Sequence, residues 1–148
     1  MSNQPNEARI EQDLNELIQY LVGFCADLIE KYGEFFPVGA YLDVSGGLVP
    51  LGVYEGNEQP ESAAVIAQYQ KVFGKLVAQG SATAWAIAWD ARVTGENYPE
   101  GTDAVVLDTW HGLAKRQVQY TFPYHLEEGI ATFPDNWWGV YTDEENIQ

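Results

Sequence analysis

At 148 residues the chain has the size of one domain, spanning 1–148, and carries 46% hydrophobic and 14% aromatic residues, which excludes a disordered chain. The single cysteine, Cys25, excludes an intramolecular disulfide. Seven Lys and Arg against 22 Asp and Glu leave a formal charge of −15, so no nucleic acid and no anionic membrane is expected as a partner, while a basic protein is electrostatically permitted.

No apolar stretch approaches the ~20 residues of a membrane helix. No basic start is followed by an apolar run and a small-residue cleavage site. A cytoplasmic address follows by elimination.

Residues 1–8 are polar and are expected to fray, as is the acidic end over 143–148. From Leu14, apolar residues recur at helical spacing through Leu17, Ile18, Leu21, Phe24, Cys25, Leu28, Ile29 and Tyr32. Asp13, Glu16 and Asp27 are assigned to the solvent side, and Gly33 closes the helix. Two apolar runs, 35–43 and 48–54, flank Val44-Ser45-Gly46-Gly47 and read as a hairpin. Pro37 and Pro50 place breaks or an edge there.

A second helix is predicted from near Pro60, with Val65, Ile66, Tyr69, Val72, Phe73, Leu76 and Val77 inward and Gly80 at its end. Gly74 inside it either permits a close approach to the sheet or is simply tolerated. Three strands follow, over 83–94, 103–111 and 117–122, the first two joined by a loop containing Gly95, Asn97, Pro99 and Gly101. Residues 131–141 read either as a last strand or as a tail across the surface.

The expected fold is therefore α+β: a mainly antiparallel sheet of about five strands, two helices on one face, in the order α-β-β-α-β-β-β. That order resembles the roadblock/longin and profilin-like architectures. Gly33-Glu34-Phe35-Phe36-Pro37-Val38-Gly39-Ala40, Ala86-Ile87-Ala88-Trp89-Asp90-Ala91-Arg92-Val93-Thr94 and Asp103-Ala104 resemble a group of small bacterial proteins with FFPxGA and AIAxDxRVT strands. The resemblance implies a bacterial cytoplasmic protein and no particular mechanism.

Asp90 and Arg92 share one face of their strand, and a cross-strand pair of Arg92 with Asp108 or Asp103 is expected. With His111, these residues could form a pocket in which Arg92 clamps an anionic group. The structural reading of the same residues weighs more. His111 and His125 lie at strand ends or turns, read as surface residues, and no dense ligand set signals a metal or another cofactor. Cys25, on an apolar stripe beside Asp27 and Glu30, reads as a core residue. Ser45 lacks the G-x-S-x-G setting of a hydrolase elbow.

Trp85 and Trp89 point to one side of their strand and Ala84, Ala86 and Ala88 to the other. Helices on the alanine side would leave a tryptophan face open, extended by Trp110, Tyr120 and Phe122 where the register allows. Helices on the tryptophan side would bury it, and the two arrangements weigh equally. Trp137 and Trp138 face opposite ways, and tail anchoring explains one of them.

The leading functional expectation is a non-enzymatic interaction module, homodimeric, offering an aromatic sheet face and an acidic rim to a protein partner. Adaptor and immunity-like roles both fit. The alternative is a small-molecule binder or enzyme with a pocket around Asp90, Arg92, Asp108 and His111.

Overall fold

A computed structural model describes residues 4–35, 37–52 and 62–141. The element order is α1 (Gln4–Tyr32), β1 (Val38–Asp43), β2 (Leu48–Leu51), α2 (Ser62–Ala78), β3 (Ala82–Gly95), β4 (Tyr98–His111), β5 (Arg116–Pro123), β6 (His125–Glu127), β7 (Ile130–Thr132) and β8 (Trp138–Tyr141). Six strands form one antiparallel sheet ordered β2-β1-β3-β4-β5-β8, and β6–β7 make a separate two-stranded hairpin. The α+β class and the leading α-β-β-α-β-β-β order are as expected, with one more strand in the main sheet than anticipated. The tail supplies that strand: β8 pairs with β5 as an edge. Residues 53–61, including the expected second-helix start near Pro60, lie outside the described residues, as do 1–3 and 142–148. Within 1–8, the residues from Gln4 onward are helical rather than frayed.

The helices do not share a face. Leu17, Leu21, Cys25 and Ile29 of α1 pack on Ala40, Leu42, Ala84, Ala86, Ala88, Val105 and Leu107. Val65, Tyr69 and Phe73 of α2 pack on Trp85 and Ile87, which alternation directs to the other side. Both sides of β3 are apolar, so both must be covered, and one helix lies over each. The alanine row lets the long α1 lie close, while the rings of α2 fill the tryptophan side. Trp85 stacks on Phe73 at 5.5 Å between centroids and 10° between planes.

Local signals agree with the ends of the elements. Gly33 (φ 83°) donates to the Ile29 carbonyl at 2.7 Å and closes α1. Gly80 (φ 75°) and Ser81 donate to the carbonyls of Val77 and Leu76, closing α2. In the β1–β2 turn, the Asp43 Oδ1 atom accepts from the Ser45 N–H, the Ser45 hydroxyl and the Gly47 N–H at 2.7–3.0 Å. These donors, led by the Ser45 hydroxyl, hold the Asp43 carboxyl below its usual range.

Gly74 needs no close approach: a Cβ there would meet nothing within 4 Å, and the same holds for Gly23 in α1. Alanine at either position is expected to stabilise the protein by about 0.5–1 kcal/mol, read from the urea unfolding midpoint. The close approach lies at Gly39, where a Cβ would stand 2.8 Å from the Tyr69 ring. That ring cannot swing aside cheaply, because its hydroxyl donates to the Leu51 carbonyl at 2.8 Å. Gly39→Ala should therefore destabilise, opposite in sign to Gly74→Ala.

Candidate functional site

The register of β3 against β4 separates the residues that the sequence grouped. Asp90 and Arg92 lie on the α1 side, across from Val105 and Asp103, and Arg92 pairs with Asp103 at 3.3 Å rather than with Asp108. Asp108, across from Ile87, points to the α2 side. His111 returns to the α1 side across from Ala84, at the far end of the strand from Asp90. The pocket expected around Asp90, Arg92, Asp108 and His111 therefore does not form.

The tryptophan face is not open either. Trp85 is buried under α2, and Trp89 and Trp110 are packed at its margins. Tyr120 and Phe122 lie on the opposite side, beside Trp137, so they do not extend that patch. Trp138 turns to the other side, against Gly95.

His111 is a core residue, contrary to the surface reading. Its Nε2 lies 2.8 Å from the Asp13 Oδ2 atom, with 2% and 9% of the two side chains exposed. The Leu113 N–H donates to Nδ1 at 3.1 Å, so the ring proton sits on Nε2 and is donated to Asp13. Arg9, one helical turn before Asp13, donates to the same carboxylate at 3.0 Å. The group ties α1 to the end of β4 and leaves His111 no free nitrogen for catalysis. His125 is exposed, 3.6 Å from Glu127. Among the described residues, no group of three His, Cys, Asp or Glu is placed to hold a metal ion.

Asp108 is almost fully buried. Gln117 donates to its Oδ2 atom at 2.8 Å, while Oδ1 has no hydrogen-bond partner. Burial pushes its carboxyl above the usual range, opposed by the Gln117 amide and then the Gln70 amide. The folded state then holds the proton to higher pH than the unfolded chain, so stability falls as pH rises from the ordinary carboxylate value through the raised one. Asp108→Asn should remove that loss, gaining about 1 kcal/mol at pH 7 and less at pH 3.5. A gain independent of pH, or no larger than that of the surface control Glu127→Gln, would contradict the burial argument.

One of the predicted residues does line a cavity. A cleft of about 850 Å³ opens between the outer side of the second half of α1, residues 34–35 and 37–39, the end of β2 and the start of α2, with Asp90 in its wall. Phe24 and Leu28 come from α1, Val38 and Gly39 from β1, Leu51 from β2 and Tyr69 from α2. Its surface is mainly apolar, and its described charged residues are Glu34 and Asp90, both carboxylates.

Asp90 is half-buried and accepts the Tyr124 hydroxyl proton at 2.9 Å. Burial pushes its carboxyl up, against the Tyr124 hydrogen bond, while the charges of Asp103 and Glu34 push it further. Burial likewise holds Cys25 and Tyr124 far above their ordinary values, with the Asp90 charge contributing to both, so neither offers a nucleophile.

The sequence reading puts Asp13 on the solvent side and Phe24 and Tyr32 on the core stripe, and passes over Tyr20, whereas Asp13 is buried and Tyr20, Phe24 and Tyr32 form an exposed outer stripe. Asp13 was nonetheless readable, because Asp13, Leu17, Leu21, Cys25 and Ile29 form an unbroken line at four-residue spacing. Tyr20, Phe24, Leu28 and Tyr32 form a second such line, one residue behind the core. No helix among the described residues is long and apolar enough to cross a membrane. No family model, curated protein or solved structure matches the chain.

Proposed function

We propose that the protein is a non-catalytic binding protein for a small organic molecule, held in the cleft between α1 and the β1–β2 edge. The observation that carries this reading is the cleft: about 850 Å³, walled mainly by apolar groups and containing two carboxylates. Cavities of this size and lining suit ligands of drug-like dimensions, with the few polar groups fixing orientation. Binding is favoured over catalysis because the Tyr124 hydroxyl and Cys25 thiol near Asp90 are held protonated, and His111 is committed to Asp13.

Backbone amide shifts recorded while titrating a panel of small amphiphiles test the reading. Perturbations should gather on Phe24, Leu28, Val38, Gly39 and Leu51. Shifts confined to the β8 edge, or none with any compound, would defeat it.

A second reading keeps a protein as the target, in line with the charge of −15. It draws support from β8, a sheet edge whose Val140 and Tyr141 are exposed beside an exposed Trp137. A basic partner or a second copy pairing there should be lost on Val140→Pro, which removes a ladder donor. Sedimentation of the wild type as a monomer, with no salt-sensitive partner association, would remove this reading.

A further inference from the structure

The cleft combines two features that together select a ligand charge. Among the described residues, five aromatic side chains line it: Tyr20, Phe24, Tyr32, Phe35 and Tyr69. Tyr20 and Phe24 stack in parallel fashion, at 6.1 Å and 25°. The Tyr69 hydroxyl donates to the Leu51 carbonyl and the residue is buried, so it offers the cleft no free hydrogen-bond donor. Aromatic faces are electron-rich and attract cations, most strongly where water is displaced. The Tyr32 ring already carries the Lys31 ammonium, 5.3 Å from its centroid, which leaves Tyr20, Phe24 and Phe35 as the rings open to a ligand.

The second feature is the negative charge of the lining itself. Glu34 and Asp90 are the charged residues of the described lining, and no Lys, Arg or His joins them. The salt bridge nearest along the strand, from Arg92, goes to Asp103 instead. Asp90 is half-buried, its neighbours Glu34 and Asp103 repel it, and Tyr124 supplies a hydrogen bond without a charge. An anionic ligand would add repulsion to this arrangement. A neutral one would exclude water from Asp90 while giving it no counter-charge. A cation with an apolar body satisfies both the carboxylates and the rings.

We propose that the cleft binds an organic ammonium compound, its charged head between Asp90, Glu34 and the aromatic rings and its apolar part against Leu28, Val38 and Leu51. This rests on the cleft being the binding site and specifies the chemistry of its ligand.

Isothermal titration at physiological salt with octyltrimethylammonium, octanol and octyl sulfate, each below its micelle concentration, tests the proposal. The ammonium should bind about tenfold or more tightly than the alcohol, and the sulfate should not bind. Glu34→Gln combined with Asp90→Asn, which keeps an acceptor for the Tyr124 hydroxyl, should cut ammonium affinity by about tenfold and leave octanol unchanged. Glu34→Gln alone, at an exposed position, serves if the double variant fails to fold, and should lower ammonium affinity selectively. Asp135→Asn removes a charge elsewhere and should change nothing, which separates the site from diffuse attraction by an acidic protein.

Equal affinity for octanol and the ammonium, both weakened by Phe24→Ala, would overturn the ammonium assignment and leave the cleft as a neutral apolar site. Affinity unaltered by the carboxylate substitutions would overturn it as well. Failure of all three probes to bind, or binding indifferent to Phe24→Ala, would overturn the cleft reading itself.

Discussion

Phe73→Ala is expected to cost about 3–5 kcal/mol of unfolding free energy, measured by urea denaturation with tryptophan fluorescence as the signal. Phe73 is fully buried and is the residue through which α2 grips the sheet. Its ring stacks on Trp85, lies 5.8 Å from Tyr69 on its own helix, and meets Tyr41 edge-on at 6.2 Å. Removing it takes away the apolar area of the ring, leaves a void among three stiff aromatic neighbours that collapse poorly, and loosens Ile87 beneath. Phe73→Leu, which keeps much of the volume, should cost less than half as much. Near-neutral Phe73→Ala would mean that α2 does not cover the tryptophan side. It would thereby reopen the sheet face that the sequence allowed to be exposed.

That ambiguity shows what kind of information the sequence lacked. Alternation along 82–95 establishes that Trp85, Ile87 and Trp89 oppose Ala84, Ala86 and Ala88, and this holds in the structure. Alternation cannot say which helix covers which side when both sides are apolar. The β3–β4 connection was misread for a different reason. Gly95, Asn97, Pro99 and Gly101 have loop composition, yet the strands run on to Gly95 and from Tyr98, with a shift of register between Val93 and Gly95. The irregularity accommodates Pro99, which has no N–H to donate, and Gly101 at φ 104°.

The candidate site was less legible because it is assembled from segments far apart in the chain. Asp90 was singled out, but its supposed partners depended on strand register, and the observed register sends Asp108 to the other face and His111 to the other end. The remaining walls come from Phe24, Val38, Leu51 and Tyr69, each of which reads locally as an ordinary apolar position. Tyr20 and Tyr32 carry a signal only once α1 is seen to bury the adjacent line of residues, which leaves this one partly open to solvent.

Asp13→Ala should destabilise by about 1–3 kcal/mol, the typical cost of leaving a buried hydrogen-bond donor without its acceptor. The carboxylate receives the His111 Nε2 proton and two contacts from Arg9 Nε, and its loss orphans a donor that is 2% exposed. His111 cannot recover by turning its ring, since Nδ1 already accepts the Leu113 N–H that shapes the β4–β5 turn. Asp13→Asn retains an acceptor for Nε2 and should lose only about 1 kcal/mol, because the charge-assisted part of the bond goes while the donor stays satisfied. A double-mutant cycle with His111→Ala isolates the pair, with an expected coupling of about 1–3 kcal/mol. Coupling near zero would mean that Asp13 acts through Arg9 and the helix alone. In that case the histidine would be packed at the strand end without being needed to dock α1, and the unbroken line from Asp13 to Ile29 would owe its stability to its apolar members.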